Sequence, residues 1–142
     1  MVQQKIKKIL VALDGSKNSF RGLDEAILIA RQAQCTVTGL HVVTLVLPSK
    51  DAPISRIEKY LLNSAAKFMH KAKIRAAKNG ILFYDKVLYG DEGKQIVSYA
   101  KNQKFDLIII GSRGMGSVKE FFLGSTSRYV VHKSTIPVLV VK

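Results

Sequence analysis

A chain of 142 residues, 47% apolar and 23% charged, has the size and composition of one soluble domain built around one core. No apolar run approaches the roughly 20 residues of a membrane span, and the run behind Lys5, Lys7 and Lys8 stops at Leu13, too short for a secretory leader, so no membrane association and a cytoplasmic location are expected. Lys and Arg number 23 against 10 Asp and Glu, a formal charge of +13, but the cations are scattered over helix faces without an Arg-rich run, aromatic interleaving or zinc-finger spacing, and specific nucleic-acid binding is not expected.

Two periodicities alternate along the chain. Ile9–Leu13 is a short continuous apolar run, the pattern of a strand buried on both faces. Phe20, Leu23, Ile27 and Ala30 recur at helical spacing and predict a helix from about Ser16 to Gln34. Thr36–Val43 is rich in β-branched residues and reads as a second strand. After a connection from Leu45 to Pro53, Ile54, Ile57, Leu61, Ala65, Phe68 and Ala72 line one face of a long helix that Asn79-Gly80 ends. Ile81–Leu88 follows as a strand, and its Asp85 and Lys86 suit a sheet edge. Ile96, Val97 and Ala100 support a helix over Glu92–Asn102. Leu107–Ile110 is a fourth strand, Ser125–Lys133 a last helix, and Pro137–Val141 a fifth strand. Strict strand–helix alternation implies an α/β fold: one open parallel five-stranded sheet, Rossmann-like, with helices on both faces, in a single domain over residues 1–142.

The lone Cys35 cannot form an internal disulfide and suits a small apolar packing role. His41, His70 and His132 show no metal-ligand spacing. No Ser-His-Asp arrangement, paired carboxylates or activated cysteine stands out, so no catalytic residue and no protein metal site are expected. The informative stretch is Ile110-Gly111-Ser112-Arg113-Gly114-Met115-Gly116, followed by Leu123-Gly124-Ser125-Thr126. Its glycines begin where the fourth strand ends, at the carboxyl edge where open α/β sheets bind ligands. Glycine lets a backbone approach an anion closely, and a helix start offers unpaired N–H groups and a positive dipole end. The spacing Gly111-x2-Gly114-x9-Gly124-Ser125 reads as a phosphate cradle. Ser117-x-x-Glu120, inside the spacer, looks like a capping box.

With Ile9-Leu10-Val11-Ala12-Leu13-Asp14-Gly15-Ser16 at the first strand, Gly39-Leu40-His41-Val42-Val43 in the second and Ile136–Val141 at the close, the chain resembles the universal stress protein family over nearly its whole length. The glycine signature resembles that of the family's ATP-binding branch. The resemblance implies a sheet of order 3-2-1-4-5, which places a topological switch point between strands one and four. It implies as ligand ATP or another adenine nucleotide, with Mg2+, if present, held by the phosphates. It further implies a homodimer through the fifth strand, Val138–Val141, with Val138 and Val140 or Leu139 and Val141 facing the partner. Where the family often has Gly-x-Pro after the third strand, this chain has Gly90-Asp91-Glu92, and an acid also suits a first helical turn.

Residue roles follow, each beside a plainer alternative. Asp14 would accept hydrogen bonds from ribose hydroxyls, or would cap the following helix, a job Ser16 can also do. Gly111 and Gly114 would lie against ribose and phosphates, or form an ordinary turn. Gly124, Ser125, Thr126 and Ser127 would present N–H groups and hydroxyls to phosphates, a role compatible with capping. Arg113 would steer or pair with phosphate, or stand idle. Ala12, Leu13, Val42 and Ile110 match positions around the adenine by resemblance alone. The functional expectation is a stress-response sensor or regulatory module that binds an adenine nucleotide. The alternatives are a slow ATP hydrolase, for which the Walker A lysine is missing, and a dimeric interaction module that leaves the pocket unused. A dinucleotide oxidoreductase would need Gly-x-Gly-x-x-Gly after the first strand, and Asp14–Asn18 does not supply it.

Overall fold

The computed structural model describes residues 5–44, 55–114 and 123–142. The 45–53 connection, Ile54, Met115, Gly116 and the Ser117/Glu120 capping box lie outside the described residues. The elements are β1 (Lys8–Ala12), α1 (Lys17–Ala33), β2 (Thr36–Val43), α2 (Arg56–Lys78), β3 (Phe83–Tyr89), α3 (Glu92–Asn102), β4 (Leu107–Gly111), α4 (Ser125–Lys133) and β5 (Val138–Val141). All four strand pairings are parallel and the sheet order is β3-β2-β1-β4-β5. This is the order the resemblance implied, with β3 at an edge.

Alternation along β1 divides the core. Ile9, Val11 and Leu13 point to a layer that includes Leu23, Ile27 and Ala30 of α1 and Met69, Ala72 and Ala76 of α2. Leu10 and Ala12 point the other way, to Ile96 and Ala100 of α3 and Val130 of α4. A strand that feeds both layers has no solvent face, which is why its sequence is a continuous apolar run rather than an alternating one. Cys35 is half-buried against the first layer, where burial pushes its thiol pKa up and keeps it protonated.

β1 lies one residue earlier than expected, at Lys8–Ala12, and β3 ends one residue later, at Tyr89; three further boundaries differ for a hydrogen-bonding reason. β3 begins at Phe83 rather than Ile81 because the end of α2 claims Ile81. The Ile81 N–H donates to Ala76 O and the Gly80 N–H to Ala77 O, both at 3.0 Å, and Gly80 sits at φ +72°. This is a Schellman closure, with Ile81 packed in the same layer as Ala76. β5 begins at Val138 because Pro137 has no N–H to add to the ladder, although its carbonyl accepts from Ile108 N at 3.0 Å. β4 runs on to Gly111, which pairs with Val141.

Valines and leucine of β5 are divided between the layers. Val138 and Val140 pack on the α3/α4 side, and Leu139 and Val141 on the α1/α2 side, all half-buried. Among the described residues, no strand pairs with the backbone edge of β5 that lies away from β4. Among the described residues, no helix is long and apolar enough to cross a membrane.

Candidate functional site

From β1 the chain steps outward through β2 to β3, then returns past β1 to β4 on its other side. The connections leaving β1 and β4 therefore depart in opposite directions, and a crevice opens at the carboxyl ends of these paired strands. Asp14 follows the first strand and Gly111 ends the second, so two motifs far apart in sequence face each other.

The two loops meet closely. A Cβ on Gly114 would lie 2.6 Å from Asp14 Oδ2, and one on Gly111 would lie 3.2 Å from the Asn18 backbone. The absence of a side chain at Gly114 is what leaves room for the Asp14 carboxyl. Asp14 Oδ1 accepts from the Ser16 N–H at 2.9 Å, and Gly15 between them holds φ +85°, a conformation open to glycine. Ser16, not Asp14, caps α1: its Oγ accepts from Ser19 N at 3.1 Å. Asn18 ties the second loop down. Its amide donates to Val141 O at 2.9 Å and accepts from the Arg113 N–H and the Ser112 hydroxyl at 3.2 Å each. The backbone of Arg113 is thus fixed at the crevice, with its side chain half-buried.

Helix α4 starts on the far wall. Its N-cap is Gly124, which has no side chain to bond the helix start. The other three helices are each capped by a side chain, from Ser16, Ser55 and Asp91. The Gly124 N–H is used by Ser112 O at 2.8 Å, and the buried Ser127 hydroxyl also donates to Ser112 O, at 2.9 Å. These bonds clamp the helix start to the end of β4. Ser127 thereby turns its hydroxyl inward, while Ser125 and Thr126 line an open cleft of about 540 Å³.

The opposite side of that cleft is the start of α3, with Gly90, Asp91, Glu92 and Gly93, and Thr44 and Tyr129 complete it. Gly93 packs against the Tyr129 ring, where a Cβ would come within 2.6 Å of Cδ1, so the two helix starts approach closely. Thr126 Oγ1 donates to Glu92 Oε2 at 3.2 Å. Burial pushes the Glu92 carboxyl above its ordinary pKa; Asp14 and Asp91 push the same way, and the Thr126 hydrogen bond and His41 oppose them. None of these α3 residues is among the expected site residues. The signal was present in Gly90-Asp91-Glu92, a helix start at the carboxyl end of a strand, but read only as a dipole effect.

Of the four positions matched to adenine, Ala12, Val42 and Ile110 share the α3/α4 layer beneath the cleft, whereas Leu13 packs in the opposite layer. Leu13 meets the crevice through its main chain: its carbonyl lies 2.8 Å from His41 Nδ1, and its N–H donates to Leu40 O at 2.9 Å. Among the described residues, no group of three His, Cys, Asp or Glu could hold a metal ion.

Comparison with known proteins gives the chain a family. Residues 5–142 match the Universal stress protein family model. Universal stress protein YxiE of Bacillus subtilis is 33% identical, over 95% of this chain and 98% of its own length. Among solved structures, universal stress protein UspA from Lactobacillus plantarum superposes with a TM-score of 0.82 at 27% identity, covering 99% of this chain and 100% of that one. A universal stress protein from Archaeoglobus fulgidus, solved in complex with dAMP, shares the fold with a TM-score of 0.76 at 24% identity, over 98% of this chain and 100% of its own.

Proposed function

The chain belongs to the universal stress protein family, and from that premise we propose that it binds an adenine nucleotide, ATP or a relative of it, in the crevice between β1 and β4. Its role on this reading is that of a stress-response sensor or regulatory module, cytoplasmic, whose output is a change of conformation or partner. The observation that carries the proposal is the start of α4, whose N-cap at the switch point is a glycine with no side chain to offer, while each other described helix start is capped by the side chain of its N-cap residue. Unpaired N–H groups and a positive dipole end are what a phosphate needs. The fold is compatible with such a ligand, since the Archaeoglobus relative was solved with dAMP.

On this reading Ser125, Thr126 and the backbone around Gly124 and Ser127 take the phosphates, and Arg113 adds a cation. Asp14 accepts from ribose hydroxyls beside Gly111 and Gly114. Ala12, Val42 and Ile110, with the Leu13 main chain, support the base. Any Mg2+ is held by the phosphates, which would screen one another's charge through it. The open backbone edge of β5 pairs with the same edge of a second copy to form a homodimer.

A valine at position 124 tests the cradle. A Cβ there would meet Ser112 O at 3.5 Å and Arg113 Cα at 3.7 Å, ordinary contacts that the fold accommodates. The added methyls would stand where the backbone must approach a phosphate. In calorimetric titrations with ATP and AMP, the wild type is expected to saturate and Gly124→Val to lose at least about tenfold in affinity, with a stability loss near 1 kcal/mol from the poorer N-cap. A folded wild type that binds neither nucleotide would refute the proposal.

A further inference from the structure

The cleft assigned to phosphates already contains an anionic side chain. Glu92 occupies the first turn of α3, facing the first turn of α4, and accepts a hydrogen bond from Thr126 Oγ1 at 3.2 Å. The N–H groups at the start of α3 are served by Asp91, whose Oδ1 accepts from Lys94 N at 3.0 Å. Those at the start of α4 receive no cap from their N-cap residue, Gly124. Glu92 thus engages a donor from the one described helix start that is open to an outside anion.

Resting on the nucleotide reading above, we infer that Glu92 is a specificity-determining residue that makes the site favour an adenosine monophosphate over a triphosphate. Two effects act together. The carboxylate takes the Thr126 hydroxyl that a phosphate oxygen would otherwise use. It also repels each further negative charge that enters the cleft, and like charges a few ångströms apart in a partly desolvated site interact far more strongly than in open water. A short anion can sit at the start of α4 without extending toward α3. A chain of three phosphates brings more charge into the cleft that Glu92 lines.

Protonation sets how strongly this selection acts. The charged or titratable groups that act on Glu92 are Asp14 after β1, His41 on β2 and Asp91 beside it on α3; from α4 it receives the Thr126 hydroxyl's hydrogen bond, and Tyr129 also lines the cleft. Burial is the largest influence and raises the carboxyl's pKa. Glu92 therefore takes up its proton at a higher pH than an ordinary carboxyl does. Once neutral it no longer repels phosphate and can donate a hydrogen bond to it. As pH falls, the affinity for ATP relative to AMP should rise.

The test is calorimetry with AMP and with ATP, in EDTA to exclude Mg2+, on wild type, Glu92→Gln and Glu92→Ala, at pH 7.5 and 5.5. At pH 7.5 the wild type is expected to bind AMP about tenfold more tightly than ATP, a difference of ~1.4 kcal/mol. Both variants should bring the two affinities within about threefold, and the wild-type gap should narrow at pH 5.5 more than the variants' does. A gap equal in all three proteins overturns the inference while leaving the nucleotide reading in place. ATP binding weakened by Glu92→Gln also overturns it. Failure of folded wild type and Glu92→Gln to bind either nucleotide would remove the nucleotide reading itself, and this inference with it.

Discussion

Asp14→Ala is expected to lower the affinity for an adenine nucleotide by about 10- to 100-fold while costing little stability. A hydrogen bond to a charged partner contributes roughly 1.5–3 kcal/mol, and each 1.4 kcal/mol is tenfold in binding, so losing the ribose acceptor falls in that range. The small stability cost follows from the division of labour at the start of α1. Ser16 supplies the cap through its bond from Ser19 N, and Asp14 contributes a turn-closing bond from the Ser16 N–H. Loss of that bond should cost about 1 kcal/mol. Calorimetry and urea unfolding on the same samples separate the two effects. Undiminished binding by Asp14→Ala would mean that the carboxyl serves the turn alone.

Ile108→Ala should do the reverse. Ile108 has no exposed surface. It sits in β4, paired with Leu10 of β1 and Val138 of β5, in the layer with Ile96, Ala100, Phe105 and Val130. Neighbours on both strands and two helices leave the site little freedom to collapse around a cavity, so a loss of about 2–5 kcal/mol is expected. For a domain whose whole stability is on the order of 5–15 kcal/mol, that is a large fraction. The urea midpoint should fall sharply at unchanged slope, while affinity in the folded fraction stays near that of the wild type. A loss below about 1 kcal/mol would show that the α3/α4 layer repacks more freely than its burial implies. The pair of substitutions thus tests whether the crevice loops and the core beneath them are separable.

The alternation of apolar runs and helical periodicities was legible because β1, β2 and β4 are buried between helices and each helix is amphipathic, whereas the exposed stretch Tyr84–Lys86 of β3 carries the charges that marked it as an edge. α3 and α4 were read at their observed limits, since an acidic residue opens one and Gly-Ser the other. What escaped the sequence were choices between equivalent hydrogen-bond partners. Ile81 is apolar and β-branched, as strand residues are, yet its N–H belongs to α2. That Asp14 and the loop beginning at Gly111 share one crevice was legible through the sheet order that the family resemblance implied; the close approach of Gly114 to the Asp14 carboxyl was not. Nor was the approach of Glu92 to Thr126, because it depends on how closely Gly93 lets α3 settle on Tyr129, a packing distance that no periodicity encodes. The inward hydroxyl of Ser127 has the same origin: in sequence it is one more polar residue at a helix start, and in the fold it bonds the end of β4.

Whether the crevice between β1 and β4 binds an adenine nucleotide can be read from native mass spectrometry of freshly purified protein, with and without added AMP or ATP, followed by identification of whatever is released on denaturation. The expected result is a dimer mass carrying an adenine nucleotide at close to one per chain, with much lower occupancy in Gly124→Val. A folded protein that arrives empty and stays empty at millimolar AMP and ATP would contradict it, and would reduce the glycine signature to a turn between β4 and α4.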